Sequence, residues 1–225
     1  DRVLALSTEQ KNEIVELYQL PGKQVSVAGS GYDRSIFFPA EDMRNQEVIR
    51  MVYAGKISRA KGIPWLIQAL SRVKRTHFHL DLVGGGSGME YDECREAAVV
   101  LGNRVSFHGM VSQQKLADLL RQSRNFILPS LQEALPLFIL EALACGCTVV
   151  ATDLPGTREI KRRLQTNRLI LVPSPRVTDT NSTCLADDEL FTDSLKVAIE
   201  EAIRRPLPAD STAPDDLAYF SWQSV

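Results

Sequence analysis

Short runs rich in β-branched residues alternate along this chain with longer segments whose apolar residues recur at helical spacing. That alternation constrains the fold most, because strand–helix–strand units close as parallel strand pairs with the helix crossing one face of the sheet. The strand-like runs are Gln24–Ala28, Val48–Ala54, His77–Val83, Arg104–His108, Arg124–Pro129, Thr148–Thr152 and Arg168–Val172. Between them Ile63, Leu66, Ile67, Leu70 and Val73 follow a helical period, as do Leu116, Leu119 and Leu120, and later Phe191, Leu195, Ile199 and Ile203. The expectation is an α/β chain with a doubly wound parallel sheet over residues 23–205. A connecting segment over 1–22, with helical spacing at Ile14, Leu17 and Tyr18, precedes it, and a tail over 206–225 follows. Loops are expected at Phe38–Gln46, Pro173–Thr183 and Pro206–Asp216, where Pro, Ser and Thr accumulate.

Composition narrows the function classes. With 225 residues, 44% hydrophobic and 24% charged, the chain has ample core and is unlike disordered sequences. Twenty-six Lys and Arg against 28 Asp and Glu leave a formal charge of −2, which supplies no global field for nucleic acid or an anionic bilayer. An anion site must therefore be local. The longest apolar stretch, Leu137 to Ala151, is interrupted by Glu141 and Gly146 and is shorter than the roughly 20 residues a membrane helix needs. Asp1 and Arg2 stand where a natural start or a leader would show Met or an apolar run, so a fragment is expected. Cys94, Cys145, Cys147 and Cys184 lack zinc spacing and fit a reducing compartment, which suggests the cytoplasm.

In doubly wound sheets ligands bind outside the carboxyl ends of the strands, near the point where strand order reverses. Four post-strand segments are unusual. Gly55–Gly62 carries Lys56, Arg59 and Lys61 just before a helix, which reads as a diphosphate clamp or as a solvated basic turn. Gly84–Gly88 fails the spacing of a dinucleotide fingerprint, leaving a turn that permits close approach to a ligand or an ordinary strand–helix turn. In Ser130–Ala142, Pro136 suits the first turn of a helix, Glu133 precedes that helix and Glu141 lies within it. The free amides near Leu137 and Phe138 could hold a phosphate between two carboxylates, a layout that suits a nucleotide sugar. Glu133 as a plain helix cap with Glu141 partly exposed is the alternative, although Glu141 sits among Ile139, Leu140, Ala142 and Leu143, where an unpartnered charge is costly. Asp153–Glu159 reads as a closing crossover with a basic face at Lys161, Arg162 and Arg163. His77 and His79 share a strand face without a ligand-spaced partner, and His108 ends a strand at the ligand edge, a candidate there although a satisfied strand-end histidine is the expectation. No Asp-x-Asp pair is present to bring a divalent cation to a diphosphate, so no metal is expected. Asn181-Ser182-Thr183 fits a glycosylation sequon without other signs of secretion.

Glu133 through Glu141 resembles the Glu-x7-Glu motif of retaining GT-B glycosyltransferases, particularly the large family 4, and Glu141 through Asp153 continues that family's pattern. Gly55-Lys56-Ile57 with Lys61-Gly62 resembles its diphosphate loop. Val83–Gly86, Val105–Gly109 and Phe220-Ser221-Trp222 follow in the family's order. The resemblance runs from about Val25 to Trp222. It implies the C-terminal, donor-binding half of a fold with two Rossmann-like domains. Lys56 and Lys61, beside Gly55, would bind the donor diphosphate, and Glu133, with Ala134 and Leu135, would meet the donor sugar. Leu137 and Phe138 would give amides to phosphate, Glu141 would hold the ribose, and Met110 or Val111 would hold the base through main chain. Lys56 stands where the family has Arg, Ala134 and Pro136 replace two glycines, and Gly29–Asp33 varies a turn motif.

The reaction implied is metal-independent transfer of a sugar from a nucleoside diphosphate to an acceptor with retention, in polysaccharide or glycolipid assembly, and no cofactor is implied. Lys56, Lys61 and the helix start would stabilise the departing diphosphate. The acceptor domain of the same protein is the expected partner, and through it the inner face of a membrane. The fragment is expected to bind donor without turnover. The alternatives are a degenerate nucleotide-sugar-binding module and a sugar-nucleotide epimerase of the same architecture.

Overall fold

A computed structural model of the chain describes residues 2–29, 31–39, 47–74, 77–177, 185–205, 217 and 220. Its elements are β1 (Val3–Ala5), α1 (Thr8–Leu17), β2 (Val25–Val27), β3 (Ile49–Ala54), α2 (Ile63–Ser71), β4 (Phe78–Val83), α3 (Met89–Ala98), β5 (Val105–Gly109), α4 (Gln113–Gln122), β6 (Asn125–Leu128), α5 (Leu137–Ala144), β7 (Thr148–Thr152), α6 (Pro155–Leu164), β8 (Leu169–Val172) and α7 (Leu185–Arg204). Of the expected loops, 40–46, 178–183 and 206–216 lie outside the described residues, as do the sequon at Asn181 and both Ser221 and Trp222.

Six strands form one parallel sheet in the order β5-β4-β3-β6-β7-β8. The chain winds outward from β3 to β5 and then crosses back to lay β6 beside β3. Strand order therefore reverses between β3 and β6, and the loops leaving their carboxyl ends frame a crevice. β6 and β7 are buried along their whole length, which is why Phe126–Leu128 and Val149–Ala151 are continuous apolar runs without alternation. Helices cover both faces, and the periodic residues predicted for them are the ones buried: Ile63, Leu66, Ile67 and Leu70 in α2, Leu116, Leu119 and Leu120 in α4, Phe191, Leu195, Ile199 and Ile203 in α7. α7 packs on α2, where Trp65 meets Phe191 edge to face at 6.1 Å.

One strand is elsewhere than expected. Val25–Val27 pairs in parallel with Val3–Ala5 in a separate two-stranded sheet, with α1 as the crossover. The boundary expected between residues 22 and 23 thus falls inside one strand–helix–strand unit. β1 is only three residues long and its Leu4 is exposed, so neither length nor alternation marks it as a strand. An apolar run also carries no label saying which sheet it joins. The Thr8 hydroxyl ties this unit to α6 by donating to Glu159 at 3.1 Å, beside the Arg163–Glu159 ion pair. From the tail, Leu217 and Phe220 are buried, and the Phe220 carbonyl accepts from the amide of Tyr32 at 2.8 Å.

The sheet also encloses a charge. Asp81 in β4 is buried, and its two oxygens are taken by Arg50 of β3 and by Nε2 of His108 of β5, each at 2.7 Å. His79 bonds the Ser106 hydroxyl at 2.9 Å. His108 is a satisfied strand-end histidine, as its position suggested. Arg50 and His108 give the carboxylate the pairing that a buried charge requires, and they stitch the three strands on one side of the reversal point.

The carboxyl ends of β3, β4 and β5 are drawn together by backbone. Gly55 N–H donates to Val83 O at 2.9 Å, and Gly84 N–H to Gly109 O at 2.8 Å. A β carbon on Gly84 would lie 1.8 Å from the carbonyl oxygen of Gly55, and the φ of +129° at Gly84 is one that L side chains avoid. Gly84→Ala is therefore expected to destabilise the chain by about 2–4 kcal/mol, since backbone rather than a movable side chain must yield. Urea unfolding measures this, and a change within experimental error would show that the two loops separate freely.

Candidate functional site

A cleft of about 560 Å³ opens at the carboxyl edge of the sheet. Its floor is built from the ends of β3 and β4 at Ala54, Gly55, Val83, Gly84 and Gly85, and its far wall from the loop after β5 at Met110 and Val111. Ser112 follows, an N-cap whose hydroxyl accepts from Lys115 N–H at 3.2 Å and so starts α4 beside the cleft. α5 closes the site with Phe138 and Glu141. The glycines after β4 thus line the cleft while allowing the close approach to Gly55. Gly84–Gly88 is a strand–helix turn from β4 to α3, and the close approach in it is that of Gly84 to the neighbouring loop at Gly55.

Glu141 is the electrostatic centre of the cleft. It sits in the second turn of α5, is 7% exposed, and its Oε2 has no hydrogen-bond partner. Burial pushes its carboxyl up to about 7. Oε2 itself is shielded, and Glu141 meets the cleft as part of its lining, where the chemistry of a carboxyl suits a hydroxyl partner. Pro136, expected in the first turn, instead stands just before α5 in an extended conformation as its N-cap residue, and the helix begins at Leu137. The amides of Leu137 and Phe138 are thus among the first donors of α5 and have no acceptor within the helix.

Lys56 lines the cleft, whereas Lys61 does not. Lys61 Nζ pairs with Glu133 Oε1 at 2.6 Å and also donates to Gln132 O at 3.3 Å. Residues predicted for two roles, diphosphate and sugar, are thus tied to each other. Glu133 and Ala134 line a second, smaller cavity of about 140 Å³, together with Ser7, Glu9, Gln10, Glu13 and Pro155. Gly55, Lys56, Met110, Val111, Phe138 and Glu141 share the large cleft, while Lys61, Glu133, Ala134, Leu135 and Leu137 are not on its lining. The Leu131 amide bonds Ala60 O at 2.9 Å, holding the loop after β6 against the loop after β3.

Sequence reasoning missed Glu9 and Glu13 because α1 belongs to a unit whose position over the Glu133 loop is a tertiary fact. Ser112 and Gln113 were missed although the step from β5 to a helix signals a cap there. Among the described residues, no group of three or more His, Cys, Asp or Glu is placed to hold a metal ion, and no helix is long and apolar enough to cross a membrane.

Residues 49–186 match the family described as Glycosyl transferases group 1, a span that contains every residue of the cleft. The chain belongs to that family. Among curated relatives, this chain is 31% identical over 174 residues to D-inositol 3-phosphate glycosyltransferase of Kribbella flavida, covering 69% of this chain and 41% of that protein. It is 30% identical over 175 residues to alpha-maltose-1-phosphate synthase of Mycobacterium tuberculosis, covering 70% and 45%. The chain thus spans less than half the length of these relatives. Among solved structures, sucrose-phosphate synthase from Thermosynechococcus elongatus superposes with a TM-score of 0.76 at 24% identity, over 100% of this chain and 55% of that one. HepE of Anabaena, solved in complex with UDP and glucose, gives 0.70 at 20% identity, over 97% and 56%. The fold is the α/β, Rossmann-like parallel sheet of the GT-B glycosyltransferases.

The raised carboxyl of Glu141 makes stability depend on pH. Its folded pKa of about 7 lies above the ordinary value of 4.5, so stability is undiminished below about 4.5 and is lost as pH rises through about 7. Glu141→Gln keeps the shape without the charge. The variant is expected to gain on the parent by up to about 3 kcal/mol between about pH 5 and about pH 8. Urea midpoints at the two pH values check this, and an unchanged difference would mean that Glu141 does not titrate in that range.

Proposed function

We propose that this glycosyltransferase chain is the donor-binding part of a retaining enzyme of the family 4 type. It takes a nucleoside diphosphate sugar without a metal ion. The observation that carries the reading is the largely buried carboxyl of Glu141 on the lining of a cleft that Lys56 and Phe138 also line. A ribose offers hydroxyl donors to Glu141, and a diphosphate offers charge to Lys56 and to the amides of Leu137 and Phe138. Main chain at Met110 and Val111 faces the base. Gly55 leaves room for the diphosphate beside Lys56.

In this reading the sugar extends toward Glu133 across the reversal point, near Ala134 and Leu135. Lys61 holds the Glu133 carboxylate and adds positive charge near the departing phosphate. The bond between the anomeric carbon and the β-phosphate oxygen breaks, and the acceptor oxygen takes that carbon on the same face. The acceptor proton ends on the phosphate. The charge gathering on the diphosphate is stabilised by groups already in place. The similarity in fold to HepE, solved with UDP and glucose, supports a nucleotide-sugar donor. The acceptor would be held by a further domain of a longer protein, in keeping with the greater length of the relatives. We place the enzyme in the cytoplasm, where that domain brings it to the inner face of the membrane for polysaccharide or glycolipid assembly.

Calorimetric titration with UDP, GDP and ADP, with and without magnesium, tests the reading. One diphosphate is expected to bind regardless of magnesium, and Glu141→Ala should weaken it about 10–100-fold, the range of hydrogen bonds to a charged acceptor. A folded chain that binds none of the three would defeat the proposal, and a need for magnesium would defeat its metal-independent part. Lys56→Ala is expected to weaken the bound diphosphate about tenfold while leaving the matching nucleoside monophosphate nearly unaffected. Equal losses for both would show that Lys56 does not face the β-phosphate.

A further inference from the structure

Tyr53, in β3, is completely buried, and a phenylalanine would fill the same space, as Phe78 and Phe126 do in the neighbouring strands. A hydroxyl in such a place is costly unless bonded. It is bonded to the site itself: the Tyr53 hydroxyl donates to the carbonyl oxygen of Lys56 at 2.7 Å. The other polar end of the same peptide is also held, because Ile57 N–H donates to Gly85 O at 2.8 Å. Both atoms of the Lys56–Ile57 peptide are thus occupied, and the plane that follows Lys56 cannot rotate without breaking a bond. Gly55 is matched to this arrangement, since a β carbon there would lie 2.7 Å from the Tyr53 hydroxyl oxygen. Burial pushes the Tyr53 phenol well above its ordinary pKa, so it remains a donor.

We propose that Tyr53 is a positioning residue for the donor diphosphate, its hydroxyl fixing the Lys56 carbonyl away from the cleft so that the loop presents cation rather than carbonyl oxygen to phosphate. The inference rests on the function proposed above. Without the hydroxyl the Lys56 carbonyl has no buried donor, and only the Ile57–Gly85 bond still resists turning that oxygen toward the ligand, where its dipole opposes an anion. The effect reaches phosphate through Lys56 and leaves the Glu141 end of the cleft untouched.

Titration of the 225-residue chain as wild type, Tyr53→Phe, Lys56→Ala and the double variant tests this. Each is titrated with UDP, GDP and ADP and with the matching monophosphates. Tyr53→Phe is expected to weaken the bound diphosphate about tenfold and the monophosphate less than about twofold, with amide exchange at Ile57 accelerated. In the Lys56→Ala background the same change should have little further effect, because both act on one contact. A Tyr53→Phe chain that keeps wild-type affinity for both ligands overturns the inference, and so does one that loses both equally, as a merely structural hydroxyl would. Wild-type chain that binds no diphosphate overturns the functional reading and this inference together. Wild-type binding with unchanged selectivity in Tyr53→Phe overturns this inference alone.

Discussion

The contact between Gly84 and the carbonyl of Gly55 shapes the carboxyl edge of this protein. Two loops from adjacent strands meet there with no side chain between them, at a separation that any β carbon would forbid. From that contact follow the bonds Gly55 to Val83, Ile57 to Gly85 and Gly84 to Gly109, which hold three loops as one surface. The cleft is the space this surface leaves in front of α5. Side chains on the cleft lining thus stand on backbone that is held at several points.

The two carboxylates that frame the reversal point have opposite electrostatic situations. Glu133 is paired with Lys61 at 2.6 Å and lies partly exposed beside α1. Glu141 is enclosed by α5 and the sheet, has one oxygen without a donor, and is pushed toward neutrality by burial. Their environments differ in kind, one a carboxylate held by a cation and the other a carboxyl that burial drives toward its neutral form. The ion pair also means that Lys61 and Glu133 act as a unit, so removing either leaves the other altered.

Much of the sheet was legible because its central strands are buried on both faces and therefore read as unbroken apolar runs. Thr148–Thr152 coincides with its predicted bounds, and the other strands of the main sheet differ by a residue or two at their ends. The site was legible in part for a local reason: glycines, lysines and a proline just after strands have few other uses there. Lys56, Phe138 and Glu141 could be placed on one edge from the alternation of elements, whereas Met110 and Val111 came from the family resemblance. The role of Tyr53 was not readable, because an aromatic residue in a buried strand looks like core whether or not its hydroxyl is bonded.

Local periodicity and turn chemistry determined the elements, their order and the edge on which the cleft-lining residues lie, since these depend on neighbours only a few residues away. Tertiary structure alone decided that Val25–Val27 pairs with Val3–Ala5 rather than joining the main sheet. It also decided that Lys61 meets Glu133, and that Glu9 and Glu13 stand beside them. Those outcomes depend on residues from about 22 to about 120 positions apart, whose meeting is set by how sheets and helices pack rather than by any local signal.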